Sequence, residues 1–85
     1  MQCLAEFMIE PWEFGNLERV DTAVIALASY GIEVDVGPFG NVAKGETETV
    51  FPALVAMLQA VFESGATMVT LQVTKGDEWL LQRIL

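Results

Sequence analysis

The order of two hydrophobic periodicities constrains the fold of this chain more than any other feature of its sequence. Alternation of apolar and polar residues with a period of two is typical of half-buried strands, and apolar residues recurring every three or four positions are typical of amphipathic helices. The strand pattern occupies residues 4–9, 32–36, 39–44 and 66–74, and the helical pattern follows Asn16 and Thr47. The sequence therefore predicts the element order β-α-β-β-α-β.

Turn and capping residues mark where the two predicted helices begin and end. Asn16 is expected to cap the first helix, and Gly31 stands where a helix-terminating glycine belongs. Thr47 begins the second helix and Gly65 follows its end. Pro52 is expected in the first turn of that helix, where a missing N–H has little cost.

The connection between the second and third strands determines the predicted topology. Gly37 and Pro38 leave no room for a crossover, so these strands should pair antiparallel as a hairpin. Two right-handed βαβ units joined by such a hairpin give a ferredoxin-like α+β domain. We expect residues 1–85 to form one such domain, with a four-stranded antiparallel sheet, both helices on one sheet face and a short C-terminal helix over residues 78–85.

The apolar content is high for so short a chain. Hydrophobic residues make up 53% of its 85 residues, and a small domain has little interior in which to bury them. We therefore expect a homo-oligomer, a dimer or a tetramer, whose copies meet through the sheet face that the helices leave open.

Charge and cysteine content limit the partners and the compartment. A net charge of −8 disfavours nucleic acid and anionic membranes as partners. The charge serves either to keep the protein soluble or to attract a cationic ligand. The chain contains one cysteine, Cys3, no basic signal-peptide segment and no apolar run of membrane-spanning length. A cytoplasmic location is the expectation.

The residues needed for independent catalysis are missing. The chain has no histidine, no pair of cysteines and no glycine-rich phosphate loop. We therefore predict no catalytic residue, no metal site and no resident cofactor. A small enzyme of the same fold remains a minor alternative, because fold alone does not define activity.

Two residues of the third strand are candidate ligand contacts. Phe39 and Asn41 are two positions apart, so both should point to the same face. An aromatic face beside a carboxamide can hold a heteroaromatic ring, although Phe39 is also a reasonable core residue. Asn41 is unusual inside a strand and needs a hydrogen-bond partner if it is buried.

Two carboxylates of the first strand lie on the same predicted face as Met8. Glu6 and Glu10 are separated by roughly 13 Å along an extended strand, which is too far for an acid/base pair acting on one bond. They are either solvated or interface-paired carboxylates, or carboxylates that face a cation in a pocket.

Four segments together resemble the YkoF-like thiamine-binding proteins. The stretch Phe7–Trp12 is similar to the end of that family's first strand, where a proline and a large apolar residue follow. Gly37–Gly45 is similar to its second hairpin. Residues 50–62 and Met68–Thr74 resemble its second helix and last strand. The resemblance covers nearly the whole chain in order.

The resemblance implies a protein that binds thiamine or its hydroxymethylpyrimidine part without converting it, in thiamine salvage or transport. Asn41 stands where the family usually has threonine at a position that can contact ligand, and Phe39 would be its stacking neighbour. Met8 and Glu6 follow as contacts, with Glu10 or Asp35 as carboxylates for the thiazolium cation or the pyrimidine amine. The alternative is an oligomeric structural or regulatory module of the same fold that binds no ligand.

Overall fold

The computed structural model describes residues 1–12, 17–37 and 40–76. The elements in chain order are β1 (Gln2–Glu10), α1 (Glu18–Ala28), β2 (Val34–Gly37), β3 (Gly40–Glu46), α2 (Thr47–Glu63) and β4 (Met68–Lys75). The predicted element order is confirmed. The predicted C-terminal helix, the expected cap Asn16 and the candidate contact Phe39 lie outside the described residues.

The four strands form one antiparallel sheet in the order β2-β3-β1-β4. The central strand β1 pairs with both β3 and β4, so that Phe7 lies opposite Asn41 on one side and Leu71 on the other. The predicted α+β class, with a hairpin joining two β-α-β units, is confirmed.

Both helices cover the same face of the sheet. Every second residue of β1 enters the core between sheet and helices: Cys3, Ala5, Phe7 and Ile9. From α1 and α2 the core receives residues spaced three or four apart, which lie on one side of a helix. They are Ala23, Leu27, Val50, Ala53, Leu54, Met57 and Val61.

The opposite face of the sheet carries the strand residues that alternate with the core residues, and it is largely polar. Thr70, Gln72 and Lys44 are exposed there, and Glu6 is half-buried. No helix in the described ranges packs on this face. Leu4 nevertheless lies on it with 0% exposure, so the face is not uniformly bare.

Glycines end both helices as the sequence predicts. Gly31 and Gly65 have φ angles of +78° and +110°, which side-chain-bearing residues rarely adopt. The chain reverses there, so that Ile32 N–H donates to the carbonyl of Leu27 at 3.1 Å, which satisfies a carbonyl at the helix end.

The prediction for Pro52 was wrong. α2 begins at Thr47, so Pro52 is its sixth residue and lies inside the helix. At this position a residue with an N–H would donate to the carbonyl of Glu48, four residues earlier. The proline removes that hydrogen bond.

No helix among the described residues is both long enough and apolar enough to cross a membrane.

Candidate functional site

A small recess lies at the end of the sheet where β1 finishes and where β2 and β3 meet. Its walls come from the end of β1, the following loop, the start of α1 and the facing ends of the hairpin strands. The lining residues are Met8, Ile9, Trp12, Leu17, Val20, Val36, Gly37, Gly40 and Asn41. Its volume is about 50 Å³.

Asn41 is the polar side chain that lines this recess. It is only 5% exposed, and its Nδ2 donates a hydrogen bond of 3.1 Å to the backbone carbonyl of Phe7 on the adjacent strand. A buried carboxamide without a hydrogen-bond partner would be costly. The hydrogen bond to Phe7 meets the need that the sequence predicted. The amide oxygen has no hydrogen-bond partner within residues 1–12, 17–37 and 40–76.

Apolar side chains form the rim of the recess. Met8 and Trp12 are both largely exposed, and Gly40 brings the backbone of β3 close to Met8. A Cβ atom at Gly40 would lie 3.8 Å from Met8 Cγ, an ordinary contact distance. The rim thus offers apolar surface next to the single amide.

Arg19 ties the start of α1 to the loop that follows β1. Its Nη1 donates to the carbonyl of Pro11 at 3.3 Å, and its guanidinium lies beside Gly65 at the end of α2. A Cβ atom at Gly65 would lie 3.8 Å from Nη2. Arg19 therefore helps to position the segment that carries Trp12 and Leu17.

The predicted acidic contacts do not converge on this recess. Glu6 and Glu10 lie on the open face of β1, outside the lining. Asp35 lines a separate groove of about 330 Å³ at the β2 edge, together with Glu33 and Lys44. Three of the residues that line that groove are charged, which suits an ion better than a ring.

Of the six residues that the sequence singles out, Asn41 and Met8 meet at the recess, Glu6, Glu10 and Asp35 lie outside its lining, and Phe39 is outside the described residues. Trp12, Leu17, Val20 and Val36 complete the recess and were not among the predicted contacts. A signal existed for Trp12, because an aromatic residue just beyond a strand end often lines a pocket. The other three carry none, since they read as ordinary helix and strand residues.

The single cysteine is not a candidate nucleophile. Cys3 is buried in the core, and burial, followed by the nearby Glu46 carboxylate, raises the pKa of its thiol. It therefore stays protonated at neutral pH, and the thiolate is the reactive form. Among the described residues, no group of three histidine, cysteine, aspartate or glutamate side chains could hold a metal ion.

The far end of the sheet from the recess carries an ion pair. The amino group of Met1 lies 3.0 Å from Glu46 Oε2, and Gln2 Nε2 donates to Glu46 Oε1 at 3.0 Å. The hydrogen bond from the amino group, followed by that from Gln2, lowers the pKa of the Glu46 carboxyl. Both partners of the ion pair are half exposed, so the pair joins strand ends without forming a pocket.

The fold and the recess define a class: a small ferredoxin-like α+β domain with an amide-bearing recess at one end of its sheet. Solved structures of this fold superimpose on most of the chain. A protein from Streptococcus pneumoniae, at 16% identity, matches with a TM-score of 0.76 over 99% of this chain and 97% of its own. A hypothetical protein from Methanocaldococcus jannascii, at 17% identity, matches with a TM-score of 0.74 over 98% and 95%.

Two further solved structures also match the chain. One is DUF77 from Bacillus cereus, a domain of unknown function, with 18% identity and a TM-score of 0.67 over 92% of this chain and 79% of its own. The other, from Thermotoga maritima, is named provisionally for thiamine biosynthesis or salvage. It has 18% identity and a TM-score of 0.65 over 100% of both chains. No protein-family model and no curated protein matches the sequence. At these identities the neighbours show the fold.

Proposed function

We propose that this protein binds thiamine or its hydroxymethylpyrimidine part without converting it, as a cytoplasmic member of the YkoF-like family acting in salvage or transport. The observation that carries the proposal is the buried Asn41 amide in an otherwise apolar recess. The name of the Thermotoga maritima neighbour supports the same ligand class.

The hydrogen-bonding capacity of Asn41 suits an aminopyrimidine. A carboxamide has two N–H donors and an acceptor oxygen, and Asn41 uses one donor on Phe7. The second N–H can donate to a ring nitrogen while the oxygen accepts from the exocyclic amine. Met8 and Trp12 supply the apolar walls, and Phe39 is proposed as the stacking neighbour.

The negative net charge of the chain is complementary to the positively charged thiazolium ring of thiamine. In this proposal the positively charged thiazolium end projects from the recess toward solvent, where the net charge of −8 is favourable. Glu6, Glu10 and Asp35 are the proposed carboxylates for that cation. None of them lines the recess, so each is proposed to act at longer range than Asn41.

The size of the recess requires further walls. Pockets for small ligands typically measure about 300–1,000 Å³, whereas this one encloses about 50 Å³. Met8 both lines the recess and lies on the open sheet face. We therefore propose that a second copy docks on that face, giving a dimer or tetramer, and extends the wall beside Met8.

Isothermal titration with thiamine and with hydroxymethylpyrimidine tests the proposal. We expect binding to the wild type and at least about tenfold weaker binding to Asn41→Ala, the equivalent of about 1.4 kcal/mol. Gln59→Ala removes an exposed amide from α2 and is the matched control, with unchanged affinity. Chromatography should recover the ligand unchanged after incubation. An absence of heat for both ligands at about 1 mM, where binding amounts to only about −4 kcal/mol, would count decisively against the proposal.

The second candidate is a structural or regulatory module without a ligand. It is favoured by the large apolar side chains exposed on α2, among them Phe51 and Val55, which suit contact with another protein. A stable oligomer that binds neither compound would support this function instead.

A further inference from the structure

The groove at the β2 edge is larger than the recess beside Asn41. Its volume is about 330 Å³, within the range of about 300–1,000 Å³ that is typical of pockets for small ligands. Its walls come from β2, β3 and the connection between α1 and β2. The lining residues are Gly31, Ile32, Glu33, Asp35, Val42 and Lys44. None of them lines the recess, so the groove is a separate candidate site.

Strand alternation and register bring charges of both signs into this groove. Val34 packs against the core, so Asp35, the next residue of β2, points to the open sheet face. Val42 lies opposite Asp35, and Lys44, two residues further along β3, shares that face. The Cα atoms of such diagonal neighbours are typically about 7–8 Å apart. Glu33, which directly precedes β2, adds a second carboxylate to the lining.

Lys44 distinguishes this groove from a simple acidic patch. The chain has twelve acidic residues and four basic ones, so a lysine close to carboxylates has many opportunities to form an ion pair. Across the described part of the chain, however, the Lys44 side chain forms no ion pair and no hydrogen bond, and neither do those of Glu33 and Asp35. The groove therefore presents one positive and two negative groups that are all available to a ligand.

The spacing of the charges and the apolar lining define the chemistry of the ligand. A ligand that bridges Asp35 and Lys44 needs a cationic group for the first and an anionic group for the second. A hydrogen bond of about 2.9 Å at each end leaves only a few ångström between these two groups, as in an α-amino acid. Ile32, which is 5% exposed, and the half-buried Val42 offer apolar contact for a side chain.

We propose that this groove binds a free α-amino acid with an aliphatic side chain. The ammonium group of the amino acid donates to the carboxylates of Glu33 and Asp35, and its carboxylate accepts from Nζ of Lys44. Its side chain contacts Ile32 and Val42. The amino acid is bound and released unchanged. The proposal does not rest on thiamine binding, because the groove and the recess share no lining residue.

Calorimetric titration with leucine and two of its fragments tests the ligand class. Isoamylamine is leucine without its carboxylate, and isocaproate is leucine without its ammonium group. We expect leucine to bind and each fragment to bind at least about tenfold more weakly, because each lacks one charge-assisted hydrogen bond. If isoamylamine bound as well as leucine, the acidic surface would simply attract cations, and the proposal would be overturned. An absence of heat with leucine at about 10 mM would overturn it as well.

Matched variants locate the leucine site. Lys44→Met and Asp35→Asn each remove one charge from the groove with little change in size. Lys75→Met and Asp21→Asn make the same changes at exposed positions outside the groove. We expect at least about tenfold weaker leucine binding for the two groove variants and unchanged binding for the two controls. Equal affinities for Lys44→Met and Lys75→Met, or for Asp35→Asn and Asp21→Asn, would overturn the assignment of the groove.

Discussion

At the scale of single residues, Asn41 links the fold to the proposed site. Its Nδ2 bonds the Phe7 carbonyl, so the same side chain holds two central strands together and presents an amide to the recess. Sequence reasoning could find Asn41, because an amide inside a strand is against propensity. It could not find Leu17, Val20 or Val36, because the recess is assembled from three segments that only the folded chain brings together.

Asn41→Ala should lower the free energy of unfolding even without ligand. The substitution removes a buried hydrogen bond and leaves the Phe7 carbonyl without that donor, at a cost of about 1–2 kcal/mol. Urea denaturation measures the loss. The control Gln59→Ala should stay within about 0.5 kcal/mol of the wild type, as exposed substitutions usually do. Equal stabilities for Asn41→Ala and the wild type would mean that the bond to Phe7 contributes nothing.

Cys3 should be unreactive in the native state and should make stability depend on alkaline pH. Burial raises the pKa of its thiol in the folded protein, so between the unfolded and folded pKa values the native state holds the proton that the unfolded state has released. Stability from this source is complete below the unfolded pKa, about 8.5, and declines as the pH rises above it. Thiol labelling should require urea, and the alkaline decline of the unfolding free energy should be smaller in Cys3→Ala. Rapid labelling of the folded protein at pH 8 would contradict this.

At the scale of elements, period-two and helical patterns predicted every strand and helix of the described chain. The start of α2 at Thr47 coincides with the prediction, and the strand ends are displaced by one or two residues. β1 extends to Gln2 because its first residues pair with β3 as far as Glu46, which strand pattern alone does not reveal. Val36 alternates with Ile32 and Val34, yet it is about half exposed because it lies at the end of an edge strand. Local periodicity gives the face of a residue, and neighbouring elements decide how far that face is covered.

Pro52→Ala should stabilise the protein. In the interior of α2 the ring removes the hydrogen bond to the Glu48 carbonyl and crowds it, and a proline there is about 3 kcal/mol less favourable than alanine in a regular helix. Since Pro52 is exposed, alanine leaves no core cavity. We expect a gain of about 1–3 kcal/mol in the unfolding free energy from urea denaturation. A loss of stability would show that the proline is needed where it stands.

At the scale of the whole molecule, the topology was predictable and the surfaces were not. The short hairpin connection and the two amphipathic helices determine the strand order of the sheet, because few topologies are compatible with both. The distribution of exposed apolar side chains follows from how α2 is rotated on the sheet. Helical spacing separates Phe51 and Val55 from the core residues of α2, but it also places Phe62 on the core-facing side, and that side chain is 48% exposed.

The proposed open-face contact has its own matched pair of variants. Thr70→Glu adds a charge to the open sheet face opposite Met8, and Thr49→Glu adds the same charge to an exposed position of α2. We expect light scattering to show half the wild-type mass for Thr70→Glu and the full mass for Thr49→Glu. Retention of the full mass by both variants would remove the open face as an interface.

Nuclear magnetic resonance of the ¹⁵N-labelled protein, titrated with hydroxymethylpyrimidine, shows whether the Asn41 recess receives the pyrimidine ring. We expect shifts concentrated on the backbone amides of Gly37, Gly40 and Asn41, on the Asn41 side-chain amide and on the Trp12 indole. No shifts, or shifts centred on the Asp35 groove while the Asn41 signals stay in place, would contradict it.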